Sequence, residues 1–256
     1  MDNNKTHSGA EIMLTLCVKF NGDWNTIYEH IKNKSFITES DFEAGRLALA
    51  DSDVKFVSII SPDYPESLKK IYKPPFGIFY KGDLSLLNSN SVGLLGDKLY
   101  KNHIDVINDV FSSANRGNTP IVLSTNNPDD MVNRINNGNI MVLPDNIVGM
   151  KLNNFGLILS ERLTVSSSTD TMGWMMRVQA GLSSNLLFTG TKKKGSAAVI
   201  GVGYALYLNK NVLVLPSSKV TSTNTKLISD GATVFTDPVA LFKFDDSSST
   251  SKSMDA

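Results

Sequence analysis

The basic residues of this chain are unevenly distributed, and the clearest concentration lies between residues 177 and 229. This stretch contains no aspartate or glutamate, although the whole chain balances 25 bases against 25 acids. Its bases are Arg177, Lys192, Lys193, Lys194, Lys210, Lys219 and Lys226. A cationic stretch inside a neutral chain predicts one face of positive potential. Solvated lysines at loop ends and helix termini are the alternative interpretation, because only Lys192 to Lys194 are clustered in sequence.

The usual patterns of metal binding and nucleophilic catalysis are missing. His7, His30 and His103 lie in unrelated segments, and none stands at metal-ligand spacing from another histidine, a cysteine or a carboxylate. The sequence has neither a G-x-S-x-G elbow nor a Walker A glycine loop. We therefore expect no catalytic residue, no metal and no cofactor.

Two shorter patterns have simple structural interpretations. Gly201-Val-Gly203 begins like a dinucleotide fingerprint, but it lacks the third glycine and lies inside a predicted helix, which favours close helix packing. Asp129-Asp130 precedes a short predicted helix, where adjacent aspartates are more typical of capping than of a catalytic carboxylate pair.

Composition sets the class of protein. The chain has 256 residues, of which 41% are hydrophobic, which suits one full-size domain or one domain with a small appendage. Zero net charge excludes a histone-like basic protein and an acidic tail protein. The single cysteine, Cys17, excludes an intrachain disulfide and a cysteine-rich zinc module, and fits a reducing compartment.

Two stretches of the sequence argue against a secreted or membrane-spanning protein. The first ten residues are polar and lack the apolar core of a signal peptide. The apolar stretch 195–208 is too short for a bilayer, which takes about 20 residues. We expect a soluble cytoplasmic protein with no membrane contact.

Hydrophobic patterning predicts the elements that position the cationic stretch. Apolar runs of strand length lie at 76–80, 91–95, 120–123, 140–143, 156–159, 185–188 and 211–215. Helical patterns separate several of them, at 100–112, 129–136, 170–183 and 196–208. Continuous apolar strands alternating with helices predict an α/β fold with a Rossmann-like, mostly parallel sheet covered on both faces. In such sheets ligands bind beyond the carboxyl ends of the strands.

The two ends of the chain differ from this α/β region. Residues 10–50 are acidic and predict short helices, with Ser40 and Glu43 spaced as a capping box ahead of 44–50. Prolines at 62, 65, 74 and 75 interrupt the following stretch. We expect a small helical N-terminal domain at 1–60, the Rossmann-like domain at 61–243 and a polar, disordered tail at 244–256.

Several segments, taken in order, resemble the DNA-processing protein A family (DprA, also called Smf). The segment from Tyr64-Pro65 through Pro74-Pro75 to Tyr80 and Gly82 is similar to the family's entry segment, and Leu227-Ile228 with Gly231-Ala232 is similar to its "LI..GA" motif. Between them lie counterparts of the first strand and its "GSR" turn, "G.l.SE", the end of "RNRiiAGLS", "SGS" and "vfavP". These are 91–98, 156–161, 177–183, 194–196 and 212–216.

The departures from the family pattern concern its binding motifs. Asp97-Lys98 replaces the Ser-Arg of "GSR", and Met175 and Met176 stand where "RNR" has its first Arg and Asn, so only Arg177 remains. The family's "SGxAxGID..AH" stretch is almost gone, and 124–130 is its best counterpart. The resemblance covers about residues 60 to 240 and indicates a divergent member with a remodelled pocket.

The resemblance implies a function. Members of this family bind single-stranded DNA, dimerise through the Rossmann-like domain, help to load the recombinase RecA during natural transformation, and are not enzymes. By position, the implied DNA-binding residues are Lys98, Arg177, Lys192, Lys193, Lys194, Gly195 and Ser196. Single-strand binding needs a positive groove and groups that hold bases, and Trp174 is a candidate platform for a base unless it is buried in the core.

Two rival interpretations remain open. A phosphoribohydrolase on a related nucleotide-binding fold would carry a "PGGxGT" loop, which this sequence lacks. The second rival is a protein-interaction scaffold of the same fold that has lost DNA binding, and the missing arginines favour it.

Overall fold

The structure is a computed structural model that describes residues 6–50, 52–134, 136–168, 170–193 and 195–244. Of the tail predicted at 244–256, only Phe244 falls within this range, and it packs against the hydrophobic core. The prediction of disorder from residue 245 onward therefore lies outside the described residues.

Three helices open the chain, as the apolar spacing predicts: α1 (Gly9–Lys19), α2 (Trp24–Lys32) and α3 (Glu39–Ala50). Strands and helices then alternate. In chain order they are β1 (Lys55–Ser58), α4 (Glu66–Lys69), β2 (Gly77–Gly82), β3 (Val92–Gly96), α5 (Ile104–Arg116), β4 (Ile121–Ser124), α6 (Asp129–Val132), β5 (Ile140–Val142), β6 (Leu157–Ser160), α7 (Thr171–Leu182), β7 (Asn185–Gly190), α8 (Ala197–Tyr207), β8 (Asn211–Val214), α9 (Thr223–Ser229), β9 (Thr233–Val234) and α10 (Pro238–Leu241).

The cap of α3 differs from the sequence prediction. The Thr38 Oγ1 accepts a hydrogen bond from the Asp41 N–H at 3.2 Å, and an Asp41 carboxylate oxygen accepts one from the Thr38 N–H at 2.9 Å. The box therefore lies two residues before Ser40 and Glu43, and the prediction was wrong. The same Asp41 carboxylate lies 2.8 Å from Lys19 Nζ, so it joins α3 to α1. The hydrogen bond from Lys19, followed by those from Thr38, lowers the pKa of Asp41 to about 2.

One sheet contains all nine strands of the described residues, in the order β1-β2-β6-β5-β4-β3-β7-β8-β9. β2 pairs antiparallel with both β1 and β6, and the strands from β6 to β9 are parallel. The predicted strands at 91–95 and 211–215 lie in this same sheet, and the Rossmann-like fold class is confirmed. Residues 55–58, inside the predicted helical N-terminal domain, form the edge strand β1; the domain boundary near residue 60 stays a prediction.

The parallel strands are buried on both faces, which explains their continuous apolar runs. Every residue of β3 and β7 is buried. Neighbouring residues of β3 point to opposite faces: Leu94 joins the core formed with α5, and Leu95 joins the core formed with α7 and α8. The two helical layers thus leave only the ends of the strands available for function. No helix of the described residues is long and apolar enough to cross a bilayer.

Candidate functional site

The strand order reverses direction between β3 and β7. From β3 the chain adds β4, β5 and β6 on one side of the sheet, and from β7 it adds β8 and β9 on the other. Because neighbouring connections leave in opposite directions there, a crevice opens at the carboxyl ends of these two strands, where doubly wound sheets bind ligands. β3 ends at Gly96 and β7 at Gly190, and these two glycines are partners after a shift in register that follows the Leu95–Phe188 pair.

Asp97, the first residue after β3, joins the two strand ends. Its carboxylate accepts a hydrogen bond from the Lys192 N–H at 2.7 Å and another from the Ser196 hydroxyl at 2.8 Å. Ser196 is the N-cap of α8, and its hydroxyl also accepts from the Ala198 N–H at 3.3 Å. The start of a helix attracts anions because its first N–H groups have no partner inside the helix. In this chain the carboxylate of Asp97 lies beside the start of α8.

Three polar side chains hold the surrounding loops in place. Thr189 Oγ1 donates to the carbonyl of Lys98 at 3.1 Å. Asn224 Nδ2, on α9, donates to the carbonyls of Thr189 and Leu215 at 3.1 and 2.8 Å. Asn127, after β4, donates to the carbonyl of Gly96 at 3.1 Å. These contacts join the ends of β3, β4, β7 and β8, so the edge of the sheet is a fixed platform.

A close approach explains the glycine at the end of β3. Gly96 has a φ of +148°, which side chains of L-residues rarely adopt, and a Cβ at this position would lie 2.0 Å from Thr189 Oγ1. The tight contact lets β3 and β7 end together.

The structure places most of the sequence-predicted residues at this edge. Lys98 follows β3 and is half-buried, with its Nζ 4.4 Å from the ring centre of Tyr100. Lys192 and Lys193 follow β7 and are exposed. Gly195 is exposed with a φ of +74°, and buried Ser196 caps α8. Lys194 lies outside the described residues.

Arg177 lies elsewhere. Its side chain is fully buried, and its Nη2 donates to the Glu161 carboxylate at 2.6 Å, just beyond β6 and three strands away from β3. The guanidinium also lies over the ring of Trp174, 4.5 Å from its centre. Burial raises the pKa of Glu161 above its usual range even though Arg177 lies beside it. In this structure Arg177 therefore has a carboxylate partner in the protein interior and does not join the lysines at the edge.

Lys210 is also occupied within the protein. Its ammonium group donates to the carbonyls of Ala180, Gly181 and Ser183 at the end of α7. Desolvation by burial, followed by the charge of Lys70, lowers the pKa of Lys210 to about 8. The cation thus stabilises the negative end of a helix dipole.

Sequence reasoning did not assign two further lysines to the site. Lys219 lies in the loop after β8 and Lys226 lies on α9, and both are exposed. They follow β8, which neighbours β7 in the parallel sheet. The predicted strand at 211–215 could therefore have placed them at the same edge as Lys192. We call Lys98, Lys192, Lys193, Lys219 and Lys226 the cationic edge. Within the described part of the chain, none of the five forms a salt bridge with a carboxylate.

Two cavities can be compared as binding sites. One of about 620 Å³ lies at the cationic edge, where Gly195, Thr223 and Lys226 contribute to its lining. Another of about 670 Å³ lies beside the start of β4, at the opposite edge of the sheet, and asparagines make up half of its lining residues. The first cavity is lined by one base, Lys226, and one acid, Asp230, and the second has no charged side chain among its described lining residues, so the charge of the lining does not by itself favour either cavity for an anionic ligand. The described residues include no cluster of three or more histidine, cysteine or acidic side chains able to hold a metal.

The buried pair predicts a stability effect. Arg177→Ala should lower the free energy of unfolding by about 3–5 kcal/mol, because it leaves the Glu161 carboxylate buried without a partner. Urea unfolding followed by circular dichroism measures the change. The double variant Glu161→Leu/Arg177→Met removes both charges and keeps most of the volume, so it should regain most of the stability. An Arg177→Ala variant as stable as the parent protein would contradict this account.

Comparison with known proteins identifies relatives of the fold. Residues 55–124 match the model of the family described as DNA recombination-mediator protein A. No curated protein matches the chain.

Two solved structures are similar over most of their length. DNA processing protein A (DprA) from Streptococcus pneumoniae superposes with a TM-score of 0.67 at 21% identity, covering 93% of this chain and 94% of that one. DNA processing protein A from Helicobacter pylori, solved to study how that protein binds single-stranded DNA, gives a TM-score of 0.63 at 20% identity, covering 75% of this chain and 94% of that one. The family match over 55–124, together with the fold shared with both DprA structures, confirms the resemblance to the DNA-processing protein A family that the motifs predict.

Proposed function

We propose that this chain binds single-stranded DNA at its cationic edge, as a DNA-processing protein of the DprA type. The observation that carries the proposal is the grouping of five lysines beyond the carboxyl ends of β3, β7 and β8, none of which has a carboxylate salt-bridge partner among the described residues. The family match and the described DNA binding of the Helicobacter pylori protein support it.

The chemistry of the edge suits a sugar–phosphate backbone. Lysine ammonium groups bind phosphate as point charges, without the planar fork through which arginine makes two parallel hydrogen bonds. Lys98 should therefore grip a phosphate less specifically than the arginine found there in the family. Gly195 leaves open space around the backbone before α8, where a phosphate can approach closely.

The first prediction concerns salt. Three to four phosphate contacts on a single strand give a log–log slope of about −2 to −3. The double variant Lys192→Ala/Lys193→Ala should weaken binding and flatten that slope by about 1.4, because each lost phosphate contact contributes about 0.7. Fluorescence anisotropy of a labelled thymine oligonucleotide, titrated at several salt concentrations, measures both quantities.

The matched control is Lys151→Ala/Lys243→Ala. The Lys243 carbonyl accepts a hydrogen bond from Asn185 at the start of β7, and Lys151 adjoins Leu152, which lies near Gly82 beside the start of β6. Both controls thus remove charge from the amino edge of the sheet and should leave affinity and slope unchanged. If the parent protein binds no oligonucleotide at about 50 mM salt, the alternative function, a protein-interaction scaffold that has lost DNA binding, is correct.

Asp97 should oppose binding. Its carboxylate lies beside the start of α8, where it repels a phosphate and occupies the Ser196 hydroxyl. Asp97→Asn removes the charge and keeps an oxygen that can accept from the Lys192 N–H, so binding should tighten by about tenfold, or about 1.4 kcal/mol. The same anisotropy titration measures the change, and thermal unfolding checks that the variant stays folded. Weaker binding by a folded Asp97→Asn variant would show that the charge helps to shape the site.

We also propose a homodimer, with RecA as the protein partner that receives the DNA. The exposed face of α8 offers an apolar surface for a second copy, because Ile200, Leu206 and Tyr207 are 44%, 58% and 68% exposed and Gly203 leaves the surface between them open. Light scattering at micromolar concentration should give twice the 27.9 kDa of the chain. Tyr207→Glu places a charge on this face and should give a monomer with unchanged secondary structure. A parent protein that is monomeric at high concentration contradicts the dimer.

A further inference from the structure

Aromatic rings from three separated segments meet where the N-terminal helices contact the sheet domain. Trp24 lies at the start of α2, Tyr72 and Lys73 follow α4, and Trp174 lies in the first turn of α7. Tyr28 extends the group, since its ring stacks on Trp24 with centres 4.9 Å apart. We call these five residues the junction cluster.

Lys73 holds the cluster together. Its Nζ lies 4.9, 5.5 and 5.6 Å from the ring centres of Trp24, Tyr72 and Trp174, which are distances typical of cation–π contacts. The same ammonium donates to Asn25 Oδ1 at 2.6 Å. The backbone of Lys73 has a φ of +49°, which is uncommon for a residue with a side chain and carries a cost that the surroundings must offset. The cation is thus fixed among rings that belong to different parts of the fold.

The outer rings of the cluster remain accessible. Tyr72 is 52% exposed and Tyr28 is 43% exposed, although rings of this size usually bury most of their surface. Lys70 is exposed near Tyr72 in sequence, and the Nζ of Lys32 lies 5.9 Å from the ring centre of Tyr28. The surface therefore combines exposed aromatic rings with the charges of Lys70 and Lys73, whereas Lys32 also pairs with Glu29 at 3.5 Å.

The junction cluster and the cationic edge both lie at the carboxyl ends of the parallel strands. Trp174 is near the N-terminal end of α7, which follows β6, and Gly22, two residues before Trp24, lies against the backbone of Glu161 just beyond β6. Four strand spacings separate β6 from β7, or roughly 19 Å. An extended nucleic-acid chain of several nucleotides can span that distance and touch both.

We propose that the junction cluster is a second contact surface for the single strand, on which unpaired bases stack while Lys73 and its neighbours attract the backbone. The proposal rests on the proposed function, because the cationic edge would bind the phosphates of the same strand. Stacking on aromatic rings tolerates any base sequence, since every base has a π-face. The cluster would thus supply the contacts to bases that the lysines of the cationic edge lack.

The chain's own fluorescence reports on this surface. The sequence contains two tryptophans, and both belong to the junction cluster. A 16-nucleotide thymine oligomer added to the full chain should quench tryptophan emission, whereas an abasic sugar–phosphate strand of equal length should bind with little quenching. Equal quenching by both strands would overturn the proposal, because it would show that charge alone alters the emission.

Substitutions at Tyr72 test stacking by affinity. Tyr72→Ala should weaken binding of the thymine oligomer by at least about fivefold, because each stacked base contributes that much or more, and Tyr72→Phe should restore it. Phe36→Ala, which removes a ring 82% exposed on the N-terminal part of the chain, is the matched control and should have no effect. Equal affinities for Tyr72→Ala and the parent protein would overturn the proposal.

The two proposals can fail separately. Anisotropy that reports oligonucleotide binding without any quenching overturns the junction surface and leaves the cationic edge intact. Quenching and Tyr72 dependence that persist in Lys192→Ala/Lys193→Ala at unchanged affinity overturn the cationic edge and support the junction surface. A parent protein that binds no oligonucleotide at low salt overturns both.

Discussion

The carboxylate of Asp97 holds the end of β3 to the loop that follows β7, and the geometry of the cationic edge depends on this contact. Its two hydrogen bonds, at 2.7 and 2.8 Å, connect segments almost a hundred residues apart in sequence. They set the course of the backbone that carries Lys192 and Lys193, and they orient the N-cap of α8. Hydrogen bonds to a charged group are stronger than those between neutral groups, so the loop gains order where the lysines lie. The same negative charge also opposes an anionic ligand.

Burial decides which cations are accessible to a ligand and which have partners inside the protein. Arg177 and Lys210 belong to the same acid-free stretch as the exposed lysines, yet one has a buried carboxylate as its partner and the other binds carbonyls at a helix end. Taking a guanidinium out of water is costly unless a partner of opposite charge compensates for it, and Glu161 provides that partner. The net charge of a segment thus overstates the charge that its surface presents. The positive charge available to a ligand is that of the exposed lysines at the strand ends.

Sequence patterning predicted the strands better than it predicted the site. Continuous apolar runs identified β2 to β8, because a strand covered on both faces must be apolar throughout. β1 and β9 were missed: β1 has an exposed and a half-buried residue, and β9 is two exposed residues long, so neither has a continuous buried run. The capping box at Ser40 and Glu43 had a plausible spacing, but Thr38 and Asp41 have the same spacing and lie where the helix begins.

The position of Arg177 could not be predicted for a different reason. Its partner Glu161 lies on another element, and no periodicity in the sequence couples a strand end to the middle of a later helix. Lys219 and Lys226 belong to the same acid-free stretch as Lys192, but only the sheet order, which places β8 beside β7, assigns them to the same edge of the sheet. Long-range pairing of this kind is a property of topology, which local patterns do not encode.

The neutrality of the chain makes any interaction with a polyanion local. A strongly basic protein attracts nucleic acid from a distance, but a chain with equal acids and bases has little long-range field. At about 0.1 M salt, charges are screened beyond about 10 Å, so only charged side chains close to a bound polyanion influence its binding strongly. The binding free energy must then come from contacts at the surface itself. In the proposed complex, lysines that act as point charges would supply affinity without orientation, so base contacts on aromatic rings would be the remaining means of fixing how a strand lies across the edge. The acidic Asp97 at the edge and the exposed ring of Tyr72 would therefore affect the proposed binding more in this neutral chain than in a strongly basic protein.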